Sequence, residues 1–144
     1  MLPLPHHYHA NARSKGNYVE VSSAGLPSLA TSAPPDFGGP EDYWSPETLL
    51  VGAIADCYIL TFKAIATAAK LEWVNIQCEV VGTLDRVDRG MEFIHFDIVG
   101  KVQLVPGQNE SAALKLLEKS EANCLVSRSL KADISFSGLV VPEL

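Results

Sequence analysis

The chain has little charge and few cysteines for its 144 residues. Charged residues make up 19% against about a quarter in average soluble domains, and the 47% hydrophobic content excludes a disordered chain. The chain has 11 basic side chains against 17 acidic ones. The resulting net charge of −6 argues against nucleic acid or an anionic membrane surface as the main partner. Three cysteines, an odd number, do not make a secreted disulfide framework, so we expect a reducing, cytoplasmic location.

A long uncharged hydrophobic run is also absent. The most apolar stretch, Thr48–Phe62, contains Asp56 and is bounded by charged residues, so no uncharged run reaches the roughly 18 residues typical of a membrane span. The N-terminus lacks a positively charged region followed by a long apolar one, so we expect no secretory signal. No repeat period is present. The sequence therefore predicts a single domain over residues 1–144, with residues 1–8 as a flexible arm.

Periodicity and turn residues predict the element order β-β-α-β-β-α-β, with residues 1–12 as an arm or a further edge strand. The long helix begins at Pro46 after a Ser45 N-cap, follows the Pro/Gly-rich loop Ala33–Tyr43, and runs to about Lys70. A second helix is expected at Glu110–Ala122. The predicted strands and the last helical turn are Tyr18–Val21, Leu26–Thr31, Trp73–Leu84, Met91–Val105, Leu125–Lys131 and Ala132–Val141.

This order predicts an α+β fold in which an antiparallel sheet wraps around one long central helix. The turn between the two longest strands is expected at Asp85–Gly90. The helix Pro46–Lys70 is apolar around nearly its whole circumference, so it must be enclosed on most sides. Because one sheet can cover only one side of a helix, we expect a second copy of the chain to cover the other.

Two of the three cysteines lie where a thiol could be chemically active. Cys57 is in the middle of the long helix, where a cysteine is often only a small core residue and where a low thiol pKa would need a cation from elsewhere. Cys124 lies at the break between two helical segments, where free backbone N–H groups favour a thiolate, although the residue could be only a cap. Cys78 alternates with Ile76 and Val80 on a strand, so we expect it to be buried and structural.

Other clusters predict no further chemistry. His6, His7 and His9 could bind a metal, but their place in a proline-flanked tail favours a solvated arm, and no zinc-type spacing accompanies them. We therefore expect no metal site, and no glycine motif indicates nucleotide binding. Three aromatic residues near the helix start could line an apolar pocket or simply cover the helix end: Phe37, Tyr43 and Trp44.

Three segments carry a recognisable pattern. SPETLLVGAIADCY, at Ser45–Tyr58, places an acid ten residues before a helical cysteine; ANCLVSRSL, at Ala122–Leu130, holds a second cysteine; LDRVDRG, at Leu84–Gly90, joins the central strands. Together they resemble the OsmC/Ohr family (osmotically inducible protein C and organic hydroperoxide resistance protein), a resemblance that covers about residues 9–140. Two positions depart from the family pattern: Leu125 replaces the usual proline, and Asp56 a small residue.

The resemblance implies a two-cysteine hydroperoxide reductase. Cys57 would be the peroxidatic thiol that attacks the O–O bond and becomes a sulfenic acid, and Cys124 would resolve it by forming an intramolecular disulfide. A site of this family also holds an arginine that stabilises the thiolate and a glutamate that orients the arginine. The matching glutamate is Glu47, and the matching arginine is Arg13 in the first hairpin, with Arg128 as the alternative.

The implied substrates are organic hydroperoxides, with hydrogen peroxide as a further candidate. We expect no bound cofactor; an external dithiol of lipoyl or thioredoxin type would regenerate the enzyme. Two other functions remain open. The chain could be a non-catalytic OsmC-like dimer with a binding or structural role, or a thiol redox sensor that forms the same disulfide without turnover.

The spacing of two implied site residues bears on assembly. Glu47 and Cys57 are ten residues apart on one helix, which separates them by about 15 Å along the axis and about 80° around it. They cannot both serve one site in one chain. If both act together, Glu47 must reach Cys57 of a second chain, which predicts an intertwined homodimer.

Overall fold

A computed structural model describes residues 1–144, and the chain divides into two compact units, residues 1–50 and 51–144. We describe each unit by itself, and the single domain over residues 1–144 stays a prediction. Residues 1–8 are exposed and contain no helix or strand, as expected of an arm; their flexibility also stays a prediction.

The first unit contains a three-stranded antiparallel sheet in the order β1-β2-β3. Its strands are β1 (Asn11–Ser14), β2 (Val19–Ser22) and β3 (Leu29–Thr31). The first hairpin turns through Gly16, whose φ of 82° is a left-handed conformation that glycine adopts without strain. The two predicted strands are confirmed as β2 and β3. A further edge strand, β1, is present, but it overlaps the predicted range 1–12 only at Asn11 and Ala12.

The Pro/Gly-rich loop is confirmed and contains one short 3-10 turn, Pro35–Phe37. Gly39 is required in this loop, because a Cβ atom there would lie 1.8 Å from the carbonyl oxygen of Ala33. The loop ends where Trp44 pairs with Thr31 at the sheet edge. This pairing sets the point from which the long helix begins.

The long helix, α1, spans Pro46–Ala68. Ser45 and Thr48 cap it reciprocally: the Thr48 N–H donates to Ser45 Oγ at 3.1 Å, and the Ser45 N–H donates to Thr48 Oγ1 at 2.8 Å. The helix ends two residues before the predicted Lys70, because Lys70 adopts a φ of 57° and the Leu71 N–H turns back to the Ala66 carbonyl at 3.0 Å. This is a Schellman motif without its usual glycine.

The second unit holds a three-stranded sheet of β4 (Trp73–Val87), β5 (Gly90–Leu104) and β6 (Asp133–Val140). The antiparallel hairpin of β4 and β5 is confirmed, but its turn is shorter than predicted. Only Asp88 and Arg89 connect the strands, because Asp88 adopts a φ of 55° that reverses the chain in two residues. The predicted turn Asp85–Gly90 is therefore mostly strand.

The prediction of one antiparallel sheet is wrong in two respects. The strands form two three-stranded sheets, and β6 pairs with β5 in parallel. Between these strands lie α2 (Glu110–Ala122) and α3 (Leu125–Arg128). Such a helical crossover returns the chain to the same end of the sheet, so the next strand runs parallel, whereas a tight turn would have made it antiparallel. The α+β class with a long helix is confirmed.

One stripe of α1 forms the core of the second unit. Its fully buried residues recur every four positions, at Ile54, Tyr58, Phe62 and Ala66. Gly100 of β5 allows the closest contact, because a Cβ atom there would lie 2.3 Å from the Tyr58 hydroxyl oxygen. The remaining core residues come from the sheet and from α2: Ile76, Phe96, Ile98, Val102, Ala113 and Leu117.

The rest of α1 is more exposed, as expected if this chain covers only one side of the helix. Leu60 is 59% exposed, and the buried stripe covers only one side of the helix. The expected enclosure on most sides is therefore not provided by this chain alone. By length and composition alone, α1 is long and apolar enough to cross a membrane. The core helix of a water-soluble protein meets the same two criteria.

Candidate active site

Cys57 lies on α1 just outside its buried stripe and is half-buried. Its sulfur is 4.0 Å from the Thr61 hydroxyl, which donates to the Cys57 carbonyl at 2.7 Å. Helical spacing of four residues places these two side chains on one face. Cys57 is therefore not a fully buried core residue, and its thiol is open to a surface pocket.

Cys124 lies between α2 and α3 and is fully buried. Its N–H donates to the Glu121 carbonyl at 3.1 Å, and its thiol points to the Ile54 carbonyl at 3.9 Å, one helical turn before Cys57. The break after α2 thus directs this side chain onto α1. The Cys57 thiol is a close neighbour of the Cys124 thiol and raises its pKa, so the structure brings the two predicted cysteines together.

The environment of Cys124 disfavours its thiolate. Burial is the largest effect and raises the pKa of the Cys124 thiol. The Ser127 hydroxyl and N–H lower that pKa, while the neighbouring Cys57 raises it through its hydrogen bond and its charge. The net result is a raised pKa, so Cys124 is mainly a protonated thiol near neutral pH.

Cys78 is half-buried on β4, opposite Gly100 of β5. Burial, with the nearby charges of Cys124 and Glu79, raises the pKa of the Cys78 thiol to about 12. Its neighbour Tyr58 also has a raised pKa, chiefly because of burial. Cys78 is therefore less buried than expected, and its structural role stays a prediction.

An open pocket of about 460 Å³ lies beside Cys57. Its walls are mostly apolar and include one cationic side chain, Lys119, but no acidic one. The lining residues are Cys57, Leu60, Thr61, Ala64, Ile65, Lys119, Asn123 and Leu125. A concave, mainly apolar pocket with a few polar groups is typical of small-molecule sites.

Sequence reasoning missed three polar residues of this pocket. Thr61 could have been found, because it follows Cys57 by one helical turn. Lys119 and Asn123 are one turn apart on α2, and the Asn123 side-chain amide donates to the Lys119 carbonyl at 2.8 Å. Nothing in the sequence indicates that this end of α2 packs beside α1, so only the structure identifies them.

Glu47 occupies the first turn of α1 in the first unit. Its Oε2 atom is buried and has no hydrogen-bond partner in the chain. A buried carboxylate oxygen is normally paired, so this atom is an exception within the chain.

Neither candidate arginine pairs with Glu47. Arg13 is exposed on β1, in the same unit as Glu47, and takes part in no ion pair. Arg128 is exposed, and its guanidinium donates to the Ala122 carbonyl at 3.2 Å at the end of α2. The role expected for one of these arginines stays a prediction.

The remaining candidate groups, three histidines and three aromatic residues near the helix start, lie in the first unit. The three histidines are exposed, and the structure groups no three His, Cys, Asp or Glu side chains that could hold a metal ion. Tyr43 stacks on Tyr18 with ring centroids 6.0 Å apart, while Phe37 and Trp44 are about half exposed. A role for these aromatic residues in substrate binding stays a prediction.

A long helix against a sheet, with two neighbouring cysteines beside a pocket, defines an α+β protein with a candidate cysteine site. Residues 39–137 match the model of the OsmC-like protein family, and the chain belongs to this OsmC/Ohr family. The uncharacterized protein YmaD of Bacillus subtilis is 31% identical over 136 residues, covering 90% of this chain and 89% of that protein. Peroxiredoxin OsmC of Escherichia coli is 30% identical over 91 residues, 63% of each chain.

Solved structures show the same fold. An organic hydroperoxide resistance protein from Elizabethkingia anophelis superimposes with a TM-score of 0.78 at 19% identity, covering 99% of this chain and all of the other. The family thus includes proteins named for peroxide reduction and for hydroperoxide resistance.

Proposed function

We propose that the protein is a thiol-dependent peroxidase that reduces organic hydroperoxides, and hydrogen peroxide as a further substrate. The observation that carries the proposal is the proximity of the Cys57 and Cys124 thiols, with Cys57 lining a pocket and Cys124 fully buried. A peroxidatic thiol must meet substrate, whereas a resolving thiol needs to meet only the oxidised sulfur. The two environments suit these two roles.

The reaction follows from these positions. The Cys57 thiolate attacks the terminal oxygen of the hydroperoxide, the O–O bond breaks, and the products are a Cys57 sulfenic acid and an alcohol. The Cys124 thiol then attacks the sulfenic sulfur; an S–S bond forms, the S–O bond breaks, and the oxygen leaves as water. An external dithiol, of lipoyl or thioredoxin type, returns two electrons by thiol–disulfide exchange.

The pocket supports an organic rather than a purely inorganic substrate. Its volume of about 460 Å³ exceeds what hydrogen peroxide needs, and apolar side chains such as Leu60, Ile65 and Leu125 form most of its wall. Burial of an alkyl or aryl group there contributes about 25 cal/mol per Å² of apolar surface. Bulky hydroperoxides should therefore have the lower KM.

The proposed active form is a homodimer in a reducing cytoplasm. Two features support a second copy: the exposed apolar side of α1, and the buried Glu47 Oε2 that lacks a donor. In the dimer, Arg13 would pair with Glu47 and hold the thiolate of Cys57 in the opposite chain. A guanidinium is suited to this role because it stays charged at any working pH and binds a carboxylate with two parallel hydrogen bonds.

The test is the reaction of the reduced protein with one equivalent of cumene hydroperoxide. Peptide mass mapping should show a Cys57–Cys124 disulfide, and Cys57→Ser should abolish it while Cys78→Ser leaves it unchanged. Turnover with a dithiol distinguishes an enzyme from a redox sensor, which would form the disulfide once. If Cys57 shows no rapid oxidation, the protein is a non-catalytic member of the family and the proposal is wrong.

A further inference from the structure

Lys119 is the charged side chain in the wall of the pocket beside Cys57. The pocket has two sides: α1 supplies the Cys57 thiol, the Thr61 hydroxyl and apolar side chains, whereas the end of α2 supplies Lys119 and Asn123. No carboxylate lines the pocket, so the ammonium charge is not neutralised there. A charged group in a mainly apolar, concave wall fixes the orientation of a ligand and gives it specificity.

Lys119 also has no acidic partner elsewhere in the chain. The ion pairs of the structure use three other cationic side chains, Lys101, Lys131 and His95. The protein as a whole has the opposite sign, with a net charge of −6. Because this field repels anions in general, an anionic ligand needs a local cation, and Lys119 supplies one at the pocket.

Asn123 supplies a second donor on the same side of the pocket. It lies one turn after Lys119, and its side-chain amide donates to the Lys119 carbonyl at 2.8 Å, which fixes the amide at the end of α2. The amide nitrogen has two N–H groups, and this bond uses one of them. A carboxylate can therefore accept from the Lys119 ammonium and from the Asn123 amide together, while an attached apolar body contacts Leu60 or Ile65.

We propose that Lys119 determines substrate specificity, and that the pocket prefers compact organic hydroperoxides that carry a carboxylate. The inference rests on the proposed function and names the substrates of that same site. The carboxylate binds Lys119 on the α2 side, and the peroxide faces Cys57 on the α1 side. A pocket of about 460 Å³ suits a compact body, such as an aryl group, between these two ends.

A structural role for Lys119 needs a control, because a lysine in the last turn of a helix also stabilises the helix dipole. Lys115 is the matched residue: it lies one turn earlier on α2, is exposed and does not line the pocket. Lys119→Gln and Lys115→Gln each remove one positive charge from α2, so an effect that differs between them arises at the pocket. Lys119→Arg keeps the charge.

The first measurement tests the pocket without a peroxide. Iodoacetate and iodoacetamide alkylate a thiol in the same way but differ in charge, so the ratio of their rates at Cys57 cancels changes in thiol reactivity. Peptide mass mapping gives both rates. Because Lys119 is exposed, we expect Lys119→Gln to lower the iodoacetate-to-iodoacetamide ratio about fivefold, and Lys115→Gln to lower it less than about twofold. Lys119→Arg should retain the ratio, and added salt should reduce it.

The second measurement tests the substrate class. Cumene hydroperoxide and its para-carboxylate differ only in the charged group, and turnover with a dithiol gives kcat/KM for each. Lys119→Gln should lower the preference for the carboxylate about fivefold, through a higher KM for that substrate. Cumene hydroperoxide itself should stay within about twofold of its wild-type value.

The possible outcomes are distinguishable. An alkylation ratio that Lys119→Gln leaves unchanged, or that Lys115→Gln lowers equally, would overturn the inference. So would an altered ratio with no change in the preference between the two hydroperoxides. If the wild type turns over neither hydroperoxide while Lys119→Gln alone lowers the alkylation ratio, the proposed peroxidase function is wrong and the anion-selective pocket stands.

Discussion

Gly100 of β5 packs against the side chain of Tyr58, the residue after Cys57. We predict that Gly100→Ala destabilises the fold around Cys57. The new Cβ would lie 2.3, 2.7 and 2.9 Å from three atoms of that ring. Tyr58 is fully buried and cannot move aside freely, and its hydroxyl donates to the Leu117 carbonyl of α2 at 3.1 Å. Any shift that relieves the clash also breaks this bond.

The expected cost combines two terms. Overpacking a tight core costs about 1–3 kcal/mol, and loss of the buried hydrogen bond adds about 1 kcal/mol, so the free energy of unfolding should fall by about 2–4 kcal/mol. Urea titration measures this fall. Gly90→Ala is the matched control, because a Cβ at Gly90 meets nothing within 4 Å. It should change stability by less than about 1 kcal/mol.

A double-mutant cycle tests the cause. In a Tyr58→Ala background the ring is gone, so Gly100→Ala should cost much less than in the wild type, with a coupling of about 2 kcal/mol. Because Tyr58 ties α1 to α2, Gly100→Ala should also slow formation of the Cys57–Cys124 disulfide. A destabilisation below about 0.5 kcal/mol, or no coupling to Tyr58, would refute this account of the packing.

Three further predictions concern the thiols and the dimer. The raised pKa of Cys124 means that its thiolate fraction grows with pH, so disulfide formation should accelerate steadily from pH 6 to 9 in rapid-mixing experiments; a rate independent of pH would contradict this. Burial keeps Cys78 protonated, so iodoacetamide at pH 8 should modify it much more slowly in the native protein than in urea, by mass spectrometry. Leu60→Glu should convert the proposed dimer to monomer in sedimentation experiments, because it places a charge on the exposed apolar side of α1; an unchanged mass would place the interface elsewhere.

Local signals accounted for most of the helices and strands. Ser45 and Pro46 mark the start of α1, and Glu110–Ala122 is helical over the predicted range, because N-caps and apolar periodicity act within a few residues. The end of α1 and the turn at Asp88 were misplaced. Both depend on left-handed residues other than glycine, which sequence does not signal strongly.

The cysteine pair was anticipated in part. Its two motifs pointed to Cys57 and Cys124 as partners, whereas Lys119 and Asn123 had no sequence signal. These residues matter only because the end of α2 and the short helix after it pack beside α1. Such a contact joins residues about 60 positions apart, beyond the reach of any periodicity.

The sequence by itself determined the α+β class and the long apolar helix, since these follow from side-chain chemistry and from patterns a few residues long. The choice of Cys57 and Cys124 as a pair came only from the resemblance of their motifs to the family. Tertiary structure alone decided that β6 runs parallel to β5, because the direction of pairing depends on the path of the crossover and not on the strand's own residues. It also decided which thiol is open and which is sealed. Packing desolvated Cys124, which raises the pKa of its thiol, and left Cys57 at the edge of a pocket.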